Sequence, residues 1–197
     1  MILGLTGSIG SGKSTVARMF EEQGSAVVID ADAIARQVME PGGSAYKKVV
    51  TAFGPGILEA DGRINRKRLA EIVFGDAEKR LLLNSIVHPC VRDEEIRLRE
   101  QHRQHPLVVL MVPLLFENAM EHLADKVAVV TVDEESRLRR LYERSQMPAD
   151  EVARRLAAQM PDQEKIRLAD YVIDNSGTLE QTREQVRAII EKSRLNQ

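Results

Sequence analysis

Only one cysteine, Cys90, occurs among the 197 residues, which excludes an internal disulfide and permits a reducing compartment. Charge of one sign is not in excess. The formal net charge of -2 gives no bulk electrostatic case for nucleic acid or an anionic membrane surface. Any anionic ligand must therefore be held by local basic clusters. No apolar run approaches the length of a membrane span. No signal peptide is expected, since six residues precede the first motif, and the expected location is the cytosol. The 4 histidines form no metal-ligand pattern. His102 and His105 lack acidic or cysteine companions and lie in a polar stretch ending at Pro106, so they read as a solvated helix end. Internal repeats and low-complexity segments are also missing.

What is present is ordinary in bulk and specific in one place. Hydrophobic residues make up 43% and charged residues 29%, and the length suits one α/β domain carrying a small insertion. Residues 7 to 14 read Gly-Ser-Ile-Gly-Ser-Gly-Lys-Ser, directly after the apolar run Ile2-Leu3-Gly4-Leu5. That is a G-x-x-x-x-G-K-S phosphate loop, and Thr15–Phe20 follows with the helical spacing the motif requires. Gly7, Gly10 and Gly12 let backbone amides converge on phosphate oxygens. Lys13 adds a mobile positive charge, and the helix starting near Ser14 favours an anion at its amino end. The Ser14 hydroxyl suits Mg²⁺. These residues predict binding of a nucleoside triphosphate through Gly10, Ser11, Gly12, Lys13, Ser14 and Thr15.

Five short, apolar, β-branched segments read as buried parallel strands: Ile2–Thr6, Ala26–Asp30, Leu107–Val112, Val127–Val132 and Tyr171–Asp174. Helical patterns between them predict βαβ units and a parallel sheet wrapped by helices, closed by a last helix over 179–194. The gap from 31 to 106 is far longer than a crossover needs. It holds predicted helices at Ala33–Met39, Ala45–Phe53, Arg66–Phe74 and 77–104, punctuated by Pro41-Gly42-Gly43 and Gly54-Pro55-Gly56. We read it as a helical insertion that builds a substrate pocket.

A second long crossover, about 133–169, begins with a helix at Glu134–Ser145 and resumes at Ala149–Met160. At about 100° per residue, Arg137, Arg140 and Arg144 fall within roughly 60° of one another. They could form a solvated face paired with Glu134, Glu135 and Glu143. After a strand of a phosphate-loop fold they read instead as a lid that neutralises the moving phosphoryl group. Strand two ends Asp30-Ala31-Asp32, at the sheet edge where ligands gather. Asp32 is the expected base, Asp30 its support, and one of the pair is expected to cap the helix near Ala33. No acid ends the third strand, so Mg²⁺ is expected to rest on Ser14, phosphates, water and Asp32.

Taken together, the blocks Thr6–Ser14, Ile29-Asp30-Ala31-Asp32 with Ala35-Arg36, Asp61–Arg66 with Leu69 and Phe74, and His88-Pro89 resemble the dephospho-coenzyme A kinase family. Pro113-Leu114-Leu115-Phe116-Glu117 and Ala169–Gly177 complete the likeness, which covers nearly the whole chain in order. Many members have Gly at position 8 and an acid two places before Pro113. This chain has Ser8, read as a minor change because Gly10 and Gly12 remain, and Met111, which leaves the metal without that acid.

The resemblance implies a three-layer P-loop kinase fold and ATP-dependent phosphorylation of the ribose 3′-hydroxyl of dephospho-coenzyme A. It implies Asp32 as base, with Lys13, Arg140 and Arg144 stabilising the transferred group. It also implies Asp32, Arg66 and the His88 region as acceptor contacts, although His88 before a proline could simply terminate its helix. The expected division is a nucleotide core at 1–32, 107–132 and 161–197, an insertion at 33–106 and a lid at 133–160. The expected state is a monomer or weak homo-oligomer that uses ATP and Mg²⁺ and binds neither nucleic acid nor membrane.

Other readings carry less. Shikimate and gluconate kinases also place Asp-x-Asp after strand two, but their substrate segment is shorter and no block like theirs follows here. A GTP-dependent switch would need an Asn-Lys-x-Asp-like segment; the nearest asparagines, Asn118 and Asn175, lack it. A nucleotide-binding regulator without chemistry would leave the acid and the arginine helix without a role.

Overall fold

A computed structural model describes residues 1–24 and 26–195. Their strands are β1 (Ile2–Thr6), β2 (Val27–Asp30), β3 (Val108–Met111), β4 (Lys126–Thr131) and β5 (Tyr171–Asp174). They form one parallel sheet, as the apolar runs predict, and its strand order is β2-β3-β1-β4-β5. Parallel strands bury both faces, and the four residues of β3 are all buried. Because the strands run one way, their carboxyl ends share an edge. There β1 leads into Gly7, β2 ends at Asp30 and β5 leads into Asn175.

Two helices cover one face: α1 (Lys13–Gly24) and a carboxyl-terminal helix spanning Leu179–Leu195. Val16, Met19 and Phe20 of α1 pack with Val186, Ile189 and Ile190 against Leu3, Leu5, Val109, Val130 and Ile173. Phe20 is fully buried, so truncation to alanine would cost about 3–5 kcal/mol.

The chain divides into two compact units, Met1–Asp30 with His102–Gln197, and Ala31–Gln101. The second unit is helical: α2 (Ala31–Gln37), α3 (Tyr46–Phe53), α4 (Arg66–Phe74) and α5 (Ala77–Gln101). A single 3-10 turn at Pro55–Ile57 and an antiparallel bridge between Leu58 and Ile64 join α3 to α4. The Asn65 side chain accepts from the Arg68 amide and starts α4 where the sequence predicts. Helices α2, α3 and α4 pack on α5, burying Ile34, Val49, Leu69, Val87 and Cys90.

Two expectations change. Helix α2 begins at Ala31, not near Ala33, so Asp32 lies inside its first turn and Asp30 directly precedes it. Helix α5 runs through Pro89, as the helix predicted over 77–104 does, so His88 does not end it. Proline removes one backbone donor, yet Val87 and Cys90 on either side are buried and hold the helix on course. After α6 (Glu134–Ser145), the helix expected at Ala149–Met160 ends early as α7 (Ala149–Ala157), and a further helix, α8 (Asp162–Leu168), follows where the sequence pattern predicts none. Pro161, with ψ 141, separates them because the residue before a proline avoids the helical region. The carboxyl-terminal helix, Leu179–Leu195, is α9.

Candidate active site

The loop between β1 and α1 holds its shape with few bonds of its own. The Ser11 amide donates to Ser8 O, and the Thr15 and Val16 amides donate to Gly12 O. Gly12 sits at φ +90, and a Cβ there would lie 2.2 Å from Asn175 Nδ2. Gly7 sits at φ +151, where a Cβ would meet Val130 O at 2.4 Å. Both glycines are therefore required by φ and by space. Lys13 Nζ turns back to donate to Gly7 O at 2.7 Å and Ser8 O at 3.2 Å. The backbone carbonyls thus park the ammonium against the loop. Ser14 and Thr15 are exposed on the first turn of α1.

Asn175 braces the loop from the end of β5. Its side-chain amide donates to Ser11 O at 2.8 Å, and its own oxygen accepts from the Thr182 hydroxyl. The Asn175 carbonyl accepts from Arg140 Nη2 at 2.8 Å. Arg140 Nη1 is shielded from solvent without a hydrogen-bond partner, and it lies 3.8 Å from where a Gly12 Cβ would stand. A buried guanidinium nitrogen lacking an acceptor is costly, and a phosphate oxygen is the acceptor it fits. The Ser11 hydroxyl is likewise buried without a partner. These two orphan donors at a glycine cradle fit a bound polyphosphate.

The three arginines of α6 separate. Arg137 is buried and donates to Ile9 O at 2.6 Å and to Asp162 at 2.5 Å, instead of pairing with Glu134, Glu135 or Glu143. Arg140 reaches the loop. Arg144 is exposed, without a hydrogen bond or ion pair among the described residues. Around Ser8 and Ile9 the loop meets further buried groups. The Ser8 hydroxyl donates to Asp162 and accepts from Lys165 Nζ, and the Ile9 amide donates to Gln159.

Lys165 is fully buried and pairs with Glu117 Oε1 at 2.9 Å, which also accepts from the Met160 amide. Burial by itself would raise the Glu117 carboxyl. Hydrogen bonds from Lys165 and from backbone amides, with the Lys165 charge, outweigh it and hold the group below its usual 4.5.

In the helical unit, Asp32 is exposed in the first turn of α2. Arg66 opens α4 and donates to Glu40 at 2.7 Å and to the Arg36 carbonyl at 3.5 Å, one turn along α2 from Asp32. His88 is exposed midway along α5, with no hydrogen-bond partner among the described residues. Beyond the end of α5, His102 and His105 sit edge to face, and His105 Nδ1 is 3.1 Å from Leu107 O.

A family model described as dephospho-CoA kinase matches residues 1–181. The chain belongs to the dephospho-CoA kinase family. A dephospho-CoA kinase from Carboxydothermus hydrogenoformans is 50% identical over 193 residues, covering 97% of this chain and 93% of that one. The solved dephospho-CoA kinase from Campylobacter jejuni is 28% identical, with a TM-score of 0.74 over 100% of this chain and 98% of its own. A Thermus thermophilus protein of known structure is 37% identical, with a TM-score of 0.80 over 98% and 97% of the two chains.

For this member of the dephospho-CoA kinase family, several residues around the loop were not singled out by sequence. Arg137 looked like one more arginine on a shared face. Lys165 and Asp162 belong to a short helix that the sequence pattern does not predict. Asn175 carried one usable signal, a polar residue directly after a strand at the ligand edge.

Proposed function

We propose that this protein transfers the γ-phosphoryl group of ATP to the ribose 3′-hydroxyl of dephospho-coenzyme A, giving coenzyme A and ADP. Family membership over nearly the whole chain names the reaction. The observation that supports the donor site is the unpartnered, buried Arg140 Nη1 facing Gly12 in the phosphate loop.

In this reading the 3′-oxygen attacks the γ-phosphorus, the bond to the ADP oxygen breaks, and the hydroxyl proton passes to the Asp32 carboxylate. Lys13 leaves its carbonyl partners for the phosphates, exchanging neutral acceptors for charged ones. Arg140, and Arg144 from the same helix, stabilise charge on the transferred group. Arg66 and His88 serve the acceptor, with the Arg66 guanidinium exchanging Glu40 for an anionic oxygen. The exposed Ser14 hydroxyl would hold Mg²⁺ beside phosphate oxygens and water, and the ion would neutralise phosphate charge. Residues 133–160 act as a lid whose base is fixed by Arg137 and Arg140, so its motion starts beyond them.

No helix of the described residues is long and apolar enough to cross a membrane, and we place the protein in the cytosol as a monomer or weak homo-oligomer. A coupled ADP-release assay with ATP, Mg²⁺ and dephospho-coenzyme A tests the reading, with shikimate, gluconate and nucleosides as competing acceptors. Turnover on dephospho-coenzyme A with 3′-phosphorylated product is expected. Preference for another acceptor would overturn the assignment.

A further inference from the structure

Ser8, in the phosphate loop, lies at the centre of a polar cluster with 1% of its surface exposed. Its hydroxyl donates to Asp162 Oδ1 at 2.5 Å and accepts from Lys165 Nζ at 3.1 Å. The next residue is gripped twice. The Ile9 amide donates to Gln159 at 3.0 Å, and its carbonyl accepts from Arg137 at 2.6 Å. Arg137 also pairs with Asp162, and Lys165 with Glu117. Arg137 is 4% exposed and Lys165 0%, so the two cations are shielded from water, while the Asp162 and Glu117 carboxylates stay partly exposed. Two cations face two carboxylates, so the cluster adds no net charge to attract a phosphate. What it supplies is position.

The need for it follows from the loop's own composition. Gly7, Gly10 and Gly12 all sit at positive φ, and glycine loses the most backbone freedom on ordering. A loop ordered only when nucleotide arrives would take that loss out of the binding free energy.

We propose that Ser8, Asp162 and Lys165 are positioning residues. They hold the first half of the phosphate loop in its binding shape from the side of α8, and they act on ATP affinity through geometry, not charge. The inference rests on the kinase reading above. It revises the view of Ser8 as a minor change, because glycine there would leave Asp162 Oδ1 and Lys165 Nζ without the hydroxyl that links them to the loop.

Calorimetric titration with ATP in the absence of acceptor, on the full chain, provides the test. Ser8→Ala is expected to weaken ATP binding about tenfold, the size of one lost hydrogen bond to a charged group. Because the cluster is neutral, the weakening should be equal at low and high salt. With saturating ATP, kcat should stay within about threefold, while KM for ATP rises with the dissociation constant. Asp162→Asn should weaken ATP as well, and the double variant should add little to either single change, the mark of coupled groups. Thermal melting without nucleotide checks that each variant is folded. Unchanged ATP affinity in folded Ser8→Ala, or fully additive losses in the double variant, would overturn the positioning role. Failure of the unaltered protein to bind ATP would overturn the kinase reading instead.

Discussion

Gly12→Ala would place a Cβ 2.2 Å from Asn175 Nδ2 on a backbone with φ +90. The strained φ costs about 1–2 kcal/mol, and the clash displaces the amide that holds Ser11 O. ATP binding by calorimetry should fall at least about tenfold, with the sheet core still folded by circular dichroism. Asp32 carries a different expectation, because its proposed work is chemical. Asp32→Asn should retain ATP affinity while kcat falls about a hundredfold or more, the usual range for a lost general base. An unimpaired rate would remove Asp32 from that role. Glycines of this kind are readable from sequence, since the motif's spacing encodes the turn. The partners of Gly12, namely Asn175 and Arg140, are 163 and 128 positions away and belong to no local pattern.

Helix α6 combines two duties. Its amino-terminal turns are anchored to the phosphate loop through Arg137 and to β5 through Arg140, with Asp133 capping Ser136 at its start. Its last turn ends at Gln146 in the left-handed region, φ 51 and ψ 31, where its amide bonds to Tyr142 O. A non-glycine residue there is strained, so Gln146→Gly should relieve about 1 kcal/mol, offset in part by a looser unfolded chain. The expected result is a melting temperature raised by about 2 °C, read by calorimetry. Sequence periodicity placed α4 and α6 at their observed bounds because caps and apolar spacing agree there. It left α8 unassigned, because a helix of seven residues directly after Pro161 is too short to show a clear period.

At the scale of the whole molecule, the pair Lys165–Glu117 joins α8 to the segment after β3, and it makes stability depend on pH. The folded Glu117 carboxyl lies below the usual 4.5 of the unfolded chain. Its contribution is therefore complete above about pH 4.5 and is lost as pH falls through that value toward the folded pKa. Glu117→Gln should lower stability at neutral pH by about 3–5 kcal/mol, because Lys165 is left buried and unpaired. It should also flatten the decline below about pH 4.5 in urea titrations. An acid profile with the unaltered slope would show that Glu117 does not titrate with folding.

Local chemistry in the chain was enough to determine the parallel sheet, the phosphate loop and the helical insertion. Each is written in neighbouring residues, as a run of β-branched side chains, a glycine spacing or helical patterns between proline–glycine turns. Which arginine faces solvent, which lysine is buried and what holds the loop's shape were decided only when α6, α8 and β5 met at one sheet edge. Hydrogen bonds across 128 to 164 positions depend on how elements pack, and packing leaves no period in the sequence.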